Sequence, residues 1–549
     1  MPSNRARSGP AHDTCARFPA RLMLRGFFTV GAWTLASRIL GFVRDILIAA
    51  YLGAGPVAEA FLVAFSLPNM FRRFFAEGAF NMAFIPLFSK KLENGDDPRG
   101  FAQDAFAGMI VILSVFTGLG IVFMPVLVTA MAAGFRGDER FDLAVAYGRI
   151  AFPYILFISL AALASGVLNA NRRFLAAAAA PVLLNLVFIL GMLVAAATGR
   201  PASDMLGLGI DEALGLRVGD TLALSVPLGG IAQLALVWWA ASRAGFRLTI
   251  RRPRFTPELK RLAIIAAPAA LAGGVVQINL LVGRQVASFY DGAIAWLSYA
   301  DRLYQLPLGV VGIAIGVVLL PELSRRLAAT DTVGGRHAFN RAAEMALTLT
   351  VPSAVAFVVI PLPLVATLFE RGAFGPDDSA ATAVALAIYG LGLPAFVLQK
   401  VLQPLFFARE DTTSPFRYAL VALVVNGVVA VGLMPWIGFL AAAIGTTLAA
   451  WAMVGLLVLG GRRMGEAARF DDRFRRRVWR ICAASLGMGA CLWLGTVLMG
   501  PMLGMAGVKF LALALIVALG MVSYYVIGTT IGAFALSDIR VAMKRSPRA

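Results

Sequence analysis

The chain has 549 residues, 59% of them hydrophobic and 14% charged, and its mean hydropathy is +0.80. That composition excludes a soluble globular or disordered protein and leaves an all-α polytopic membrane protein. The net charge of +19 would suggest a nucleic-acid partner in a soluble chain; here the Lys and Arg read as topogenic, holding loops on the cytoplasmic side, and no nucleic-acid partner is expected.

In chain order, residues 1–25 form a basic tail with Arg5, Arg7, Arg17, Arg21 and Arg25, read as cytoplasmic, with Met23 as an alternative start. Apolar runs long enough to span a bilayer follow near 26–53, 57–88, 105–133, 146–168, 178–198, 221–242, 262–289, 293–321, 343–369, 380–407, 416–435, 437–460, 480–500 and 508–535, fourteen in all. Of the 49 Lys and Arg, 35 fall in the tails and one set of alternate loops, 6 in the other set and 8 inside spans. This asymmetry predicts that both termini are cytoplasmic. Cys15, Cys482 and Cys491 have no disulfide or CxxC spacing, and His12 and His337 are too scattered for a metal site, so neither metal nor cofactor is expected.

A faint internal repeat runs through the first twelve spans. PLFSKKL from Pro86 recurs as PELSRRL from Pro321, PVLVT from Pro125 as PLVAT from Pro363, and Pro153 matches Pro394, at offsets of 235, 238 and 241. Six spans per repeat make two parallel lobes, 26–242 and 262–460, joined by the cytoplasmic loop 243–261, with a substrate path at their interface. A basic loop, 461–479, leads to two extra spans within 480–535 and a tail, 536–549.

Residues 37–88 carry Arg38, Arg44, Asp45, Glu59, Arg72, Arg73 and Glu77 in a run otherwise apolar enough for membrane. A charge near the bilayer centre costs about 2.5–3.5 kcal/mol on the most lenient scale, so such residues face a bundle interior or a watery cavity. At 100° per residue Ser37, Arg38, Gly41, Arg44 and Asp45 share a sector about 120° wide, and the two arginines stand about 9 Å apart along the axis, a spacing suited to an extended anion. Asp45 is too far from Arg38 to pair with it on one helix and is a candidate partner for a neighbouring helix. Arg73 and Glu77 are spaced to pair with each other, which leaves Arg72 as the better ligand candidate, just after Pro68 and Asn69 at a kink. Asp301 and Arg302 lie in the eighth span, and Arg302 follows Arg72 by 230 residues, close to the repeat offset, so the second lobe also offers a buried cation. Guanidinium groups are permanently charged and grip phosphate bidentately. The alternative, that these arginines only lock helices together through Asp45, Glu59, Glu77 and Asp301, is weakest for Arg38, Arg44, Arg72 and Arg302 taken together. Arg149 reads as a snorkelling residue near a helix end; Arg284 and Lys400 are isolated along the sequence and have no assigned role.

SRILGFVRD from Ser37, GAG from Gly53, LPNMFRRFFAEGAFNMAFIPLFS from Leu67, FPYILFISL from Phe152 and YADRLYQLPLGVVGIAIGVVLLPELSR from Tyr299, with the fourteen-span length, resemble the MurJ/MviN lipid II flippases of the multidrug/oligosaccharidyl-lipid/polysaccharide exporter superfamily. The resemblance runs from about residue 23 to the C-terminus. It implies that Arg38, Arg44, Arg72 and Arg302 line a central cavity, that Asp45 and Glu59 are functionally sensitive, and that the last two spans form a groove for a polyprenyl tail. Some relatives carry Glu where this chain has Gln305, so a charge-pair role there does not carry over. The implied substrate is lipid II, handled by a monomer in the bacterial inner membrane and driven by the membrane potential or a coupling ion, with no catalytic residues.

A drug-cation antiporter would need carboxylates where arginines dominate here. A polyprenyl-phosphate-dependent enzyme would need catalytic carboxylates on a substantial loop, and Asp204, Asp211, Glu212 and Asp220 in the longest outer loop lack paired spacing. An inert scaffold leaves the intramembrane arginines unexplained, and an exporter of another polyprenyl-pyrophosphate-linked saccharide is the nearest alternative.

Overall fold

Proline and capping residues set where the helices start and bend. In the computed structural model, which describes residues 20–72, 81–197, 218–252, 254, 256–329, 331–505 and 507–534, the chain is built of helices. The first half contains α1 (Ala20–Leu52), α2 (Pro56–Arg72), α3 (Asn81–Asn94), α4 (Pro98–Val122), α5 (Met124–Met131), α6 (Glu139–Ala151), α7 (Tyr154–Ala170), α8 (Phe174–Ala197) and α9 (Val218–Arg243). The second contains α10 (Pro257–Ala287), α11 (Ala293–Ala328), α12 (Thr332–Val359), α13 (Pro361–Phe369), α14 (Pro376–Phe407), α15 (Thr413–Ile437) and α16 (Leu440–Gly461). After these come α17 (Asp472–Leu498), the single turn α18 (Gly500–Leu503) and α19 (Val508–Thr530). Side-chain oxygens of Asp97, Thr256, Asp331 and Asp471 cap α4, α10, α12 and α17 by accepting from amides that a helix start leaves unpaired. Arg73, Glu77, residues 198–217 and the outer parts of both tails lie outside the described residues.

Ten helices among the described residues are long and apolar enough to cross a membrane, which makes the chain a multi-pass membrane protein. They coincide with ten of the fourteen expected spans. The other four expected spans, near 26–53, 57–88, 262–289 and 293–321, are those that carry Arg38, Arg44, Asp45, Arg72, Arg284, Asp301 and Arg302. Three of them are continuous helices, α1, α10 and α11, of 33, 31 and 36 residues; the fourth is described as α2 and α3, on either side of residues 73–80.

The packing repeats along the chain. In the first half α1 packs on α8, α8 on α9, α7 on α9 and α2 on α6; in the second α10 packs on α15, α15 on α16, α14 on α16 and α11 on α14. One buried side chain marks the correspondence. Asn185 on α8 donates to the Ser37 carbonyl on α1 at 3.0 Å, and Asn426 on α15, 241 residues later, donates to the Asn279 carbonyl on α10 at 3.3 Å and to its side-chain oxygen at 2.9 Å. That is the offset separating Pro153 from Pro394. The α17–α19 pair rests on the second half, with α17 against α12 and α19 against α17 and α13. Glu344 on α12, buried, draws in Arg341, Arg473 and Arg477 at 2.5, 3.6 and 3.2 Å.

Candidate functional site

The two halves are bonded together at the end where α1 and α10 finish and α2 and α11 begin. Glu59, 1% exposed near the start of α2, accepts from Arg140 Nη1 at 3.0 Å and from the Ile294 amide of α11 at 2.9 Å. Arg140 also pairs with Asp138 and, across the interface, with Asp291 at 2.8 Å, and its guanidinium lies 4.6 Å from the Phe135 ring. Gln285 on α10 accepts from the Ala133 amide at 2.9 Å and donates to the Thr129 carbonyl at 3.0 Å, while Ser288 accepts from the Gly134 amide at 2.9 Å. Tyr299 donates to the Gly53 carbonyl at 2.9 Å, and the Ala373 amide to the Ala50 carbonyl at 2.8 Å. Gly53 has φ +62°, and a Cβ there would lie 2.4 Å from the Ala373 carbonyl oxygen, so the closure requires glycine twice over. At the opposite end, contacts between the halves are made by the linker before α10 and by its first turn: Thr249 on Gln103, Arg251 on Asp104, and Glu258 on Lys91 at 2.6 Å.

Beyond the latched end lies a cavity of about 950 Å³, lined by α1, α2, α5, α7, α8 and α9 from the first half and α10, α11 and α14 from the second. Six cations reach it, Arg38, Arg44, Arg72, Arg284, Arg302 and Lys400, with a single carboxylate, Asp45, among the described lining residues. The four arginines singled out in the sequence are therefore brought together, with Ser37, Asp45 and Asn69 beside them. Asp301 opens into an adjoining cavity of about 160 Å³ that shares Asp45, Arg284 and Arg302, and its carboxylate accepts from Gln305 one turn on. Glu59 belongs to the latch, not to the cavity wall.

The arginines are not equivalent. Arg44 is 7% exposed: Nε and Nη2 donate to Asp45 at 3.0 and 2.7 Å, Nη1 donates to Asn185 at 3.0 Å, and Phe65 and Phe188 lie 5.8 and 5.5 Å from the guanidinium. Its hydrogen-bonding capacity is largely spent on the wall, so it organises Asp45 and stiffens α1 against α8. Arg302 donates Nε to Asp45 at 2.9 Å with its side chain 41% exposed, which turns the rest of the guanidinium towards the cavity. Arg38 pairs with no carboxylate among the described residues, and its guanidinium lies over Gly309 of α11. Lys400 is exposed within the cavity. A cavity with five formal positive charges in excess, walled by apolar helices, attracts and compensates an anion.

Sequence reasoning missed Asn185, Gln233, Gln277 and the placement of Arg284 and Lys400 on this cavity, as well as Arg140 in the latch. An intramembrane Lys or Arg is itself a functional-site signal, and Arg284 and Lys400 carried it. No spacing ties Arg140 to Glu59 across 81 residues.

A multi-pass helical bundle around a charged internal cavity defines a membrane transporter. The particular family follows from the whole chain: a sequence model described as "Lipid II flippase MurJ" matches residues 48–534, and the chain belongs to that family. It is 42% identical over 530 residues to the probable lipid II flippase MurJ of Rhizobium tropici, covering 95% of this chain and 97% of that one. It is 36% identical to the lipid II flippase MurJ of Burkholderia cenocepacia, covering 86% and 90%. Among solved structures it matches a lipid II flippase MurJ in an inward closed conformation, with TM-score 0.74, 25% identity and coverage of 91% and 98%. An inward-facing multidrug transporter of the MATE family shares the fold, with TM-score 0.63 at 16% identity, covering 78% and 95%. The resemblance read from SRILGFVRD and LPNMFRR is thus borne out.

Proposed function

We propose that the chain carries lipid II from the inner to the outer leaflet of the bacterial cytoplasmic membrane by alternating access, its pyrophosphate held by the cavity cations. The observation that carries this reading is the excess of six cations over one carboxylate around a 950 Å³ cavity in a chain of the MurJ family. A pyrophosphate cannot enter hydrocarbon unpaired, because burying an uncompensated charge costs many kcal/mol; fixed guanidinium groups compensate it while the polyprenyl tail stays in lipid.

The moving parts are two parallel six-helix lobes, residues 26–242 and 262–460, in a fourteen-span chain with both termini cytoplasmic. The repeated packing and the Asn185/Asn426 correspondence support that division. The latch at Glu59, Arg140 and Asp291 closes the outer end, so this state receives cargo from the cytoplasmic side. Rocking the lobes parts Asp45 from Arg302 and dismantles the cation cluster, which releases the headgroup outside. The spans within 480–535 provide the tail groove, and a monomer suffices. An inside-negative potential favours outward movement of an anion by about 2.3 kcal/mol per charge per 100 mV, so the potential, alone or with a coupling ion, drives the cycle.

Reconstitution of the full chain with labelled lipid II tests the reading. Translocation of unmodified lipid II supports it; a chemically altered product, or transport only of another polyprenyl-pyrophosphate-linked saccharide, overturns it.

A further inference from the structure

We infer that Gly309 is a positioning residue for the cargo site, the seat on which the Arg38 guanidinium rests. This inference rests on the cavity being the anion site and adds a residue of α11 that carries no polar group of its own.

Helices α1 and α11 run antiparallel across the interface between the halves, and two contacts fix their register. Asp45 meets Arg302 at 2.9 Å. Seven residues back along α1 and seven forward along α11, about two turns on each, Arg38 meets Gly309. The shared spacing puts both contacts on one seam. A Cβ at Gly309 would lie 1.7 Å from Arg38 Nη1, 2.7 Å from Cζ and 3.0 Å from Nη2, so a methyl group and the guanidinium cannot occupy the same place. Glycine inside a helix is unfavourable relative to alanine, and here its absent side chain leaves the space the guanidinium fills. Gly309 does not have positive φ, so alanine suits the backbone, and its effect falls on Arg38.

The consequence is preorganisation. An arginine side chain is flexible and loses rotamer freedom when it grips a ligand. Resting against Gly309 of α11, Arg38 is already reaching from one half of the molecule to the other, on the same seam as Arg302. With a side chain at 309 it must swing away, and the cluster loses a cation aimed at the cargo while the fold stays intact.

The test measures binding of fluorescent lipid II to the purified full-length protein in nanodiscs, for wild type, Gly309→Ala, Arg38→Gln and the double variant, with thermal stability read in parallel. Gly427→Ala is the control, a helical glycine of α15 with open space around its Cβ position. Gly309→Ala is expected to raise Kd fivefold or more with Tm unchanged or higher, Gly427→Ala to leave Kd within twofold, and Gly309→Ala to change Kd less than twofold once Arg38 is Gln. Wild-type affinity in Gly309→Ala, an equal loss in both backgrounds, or a loss that tracks a fall in Tm would overturn the assignment. Should wild type ignore lipid II yet bind undecaprenyl pyrophosphate, the lipid II reading fails and the same four-variant cycle on that probe still decides the seat; binding of neither probe overturns both.

Discussion

Asp45 on α1 holds Arg302 of α11 at 2.9 Å with one carboxylate oxygen and its own neighbour Arg44 at 2.7 Å with the other. The one described carboxylate in the cavity wall thus ties the two halves of the chain together and fixes two cavity arginines. A charge-assisted hydrogen bond contributes about 1.5–3 kcal/mol, so Asp45→Asn and Arg302→Gln are each expected to lower lipid II translocation at least tenfold. The double variant should be no worse than the worse single one, because both remove the same contact. Outer-leaflet lipid II in vesicles, counted with an impermeant probe, gives the measurement; full additivity would show that the two act separately.

Asn185 is 5% exposed and joins Arg44 Nη1 to the Ser37 carbonyl. Leucine fills a similar volume but leaves both groups without that partner, at a cost of about 1–3 kcal/mol. Asn185→Leu should therefore lower translocation severalfold along with thermal stability. Asn426→Leu removes the corresponding bonds to Asn279, neither residue lining the 950 Å³ cavity, and should cost stability with little change in transport per folded molecule.

Glu59 and Arg140 form a buried pair, with side chains 1% and 7% exposed, and breaking such a pair from one side costs about 3–5 kcal/mol. Glu59→Gln is expected to open the latched end. With Cys15, Cys482 and Cys491 replaced and Gln277→Cys placed in the cavity wall, an impermeant maleimide added outside should label Glu59→Gln several times faster than the parent. Equal labelling would mean that Glu59 does not hold this end shut.

Asp471 accepts from the Phe474 amide at 2.6 Å, capping α17, and pairs with Arg341 of α12 at 2.6 Å. Burial opposes it, but the amide and the Arg341 guanidinium hold its carboxyl below the usual carboxylate range. A depressed carboxyl contributes stability that is present above its unfolded pKa, about 3.9, and lost as pH falls through the lowered folded value. Asp471→Asn keeps a capping oxygen and loses the charge, so its Tm should fall below that of wild type at pH 7 by an amount corresponding to about 0.5–1 kcal/mol. The two curves should converge in strong acid, and a gap that persists there would assign the effect to something other than charge.

The membrane class and most helices were legible because bilayer thickness imposes a length on apolar runs that any spanning helix must meet. The structure describes ten helices that meet it, in the places the apolar runs predict. Helix periodicity also sorted one face of α1: Ser37, Arg38, Gly41, Arg44 and Asp45 do share one cavity wall, because 3.6 residues per turn is local geometry. Arg284 and Lys400 were visible as isolated cations, but which wall they reach depends on helix rotation, which packing sets.

What the sequence by itself determined is the solvent and the chemistry: a chain this apolar must cross a membrane, and arginines kept within it are permanently charged and need partners or water. Only the tertiary structure decided how that charge is spent. Arg44 is consumed by Asp45 and Asn185, Arg302 is shared between Asp45 and the cavity, and Arg38, paired with no carboxylate among the described residues, lies on a bare stretch of α11. These fates differ because a side chain's partner is set by which helix comes within about 3 Å of its tip, and residues 141, 257 or 271 positions apart meet only when the helices pack.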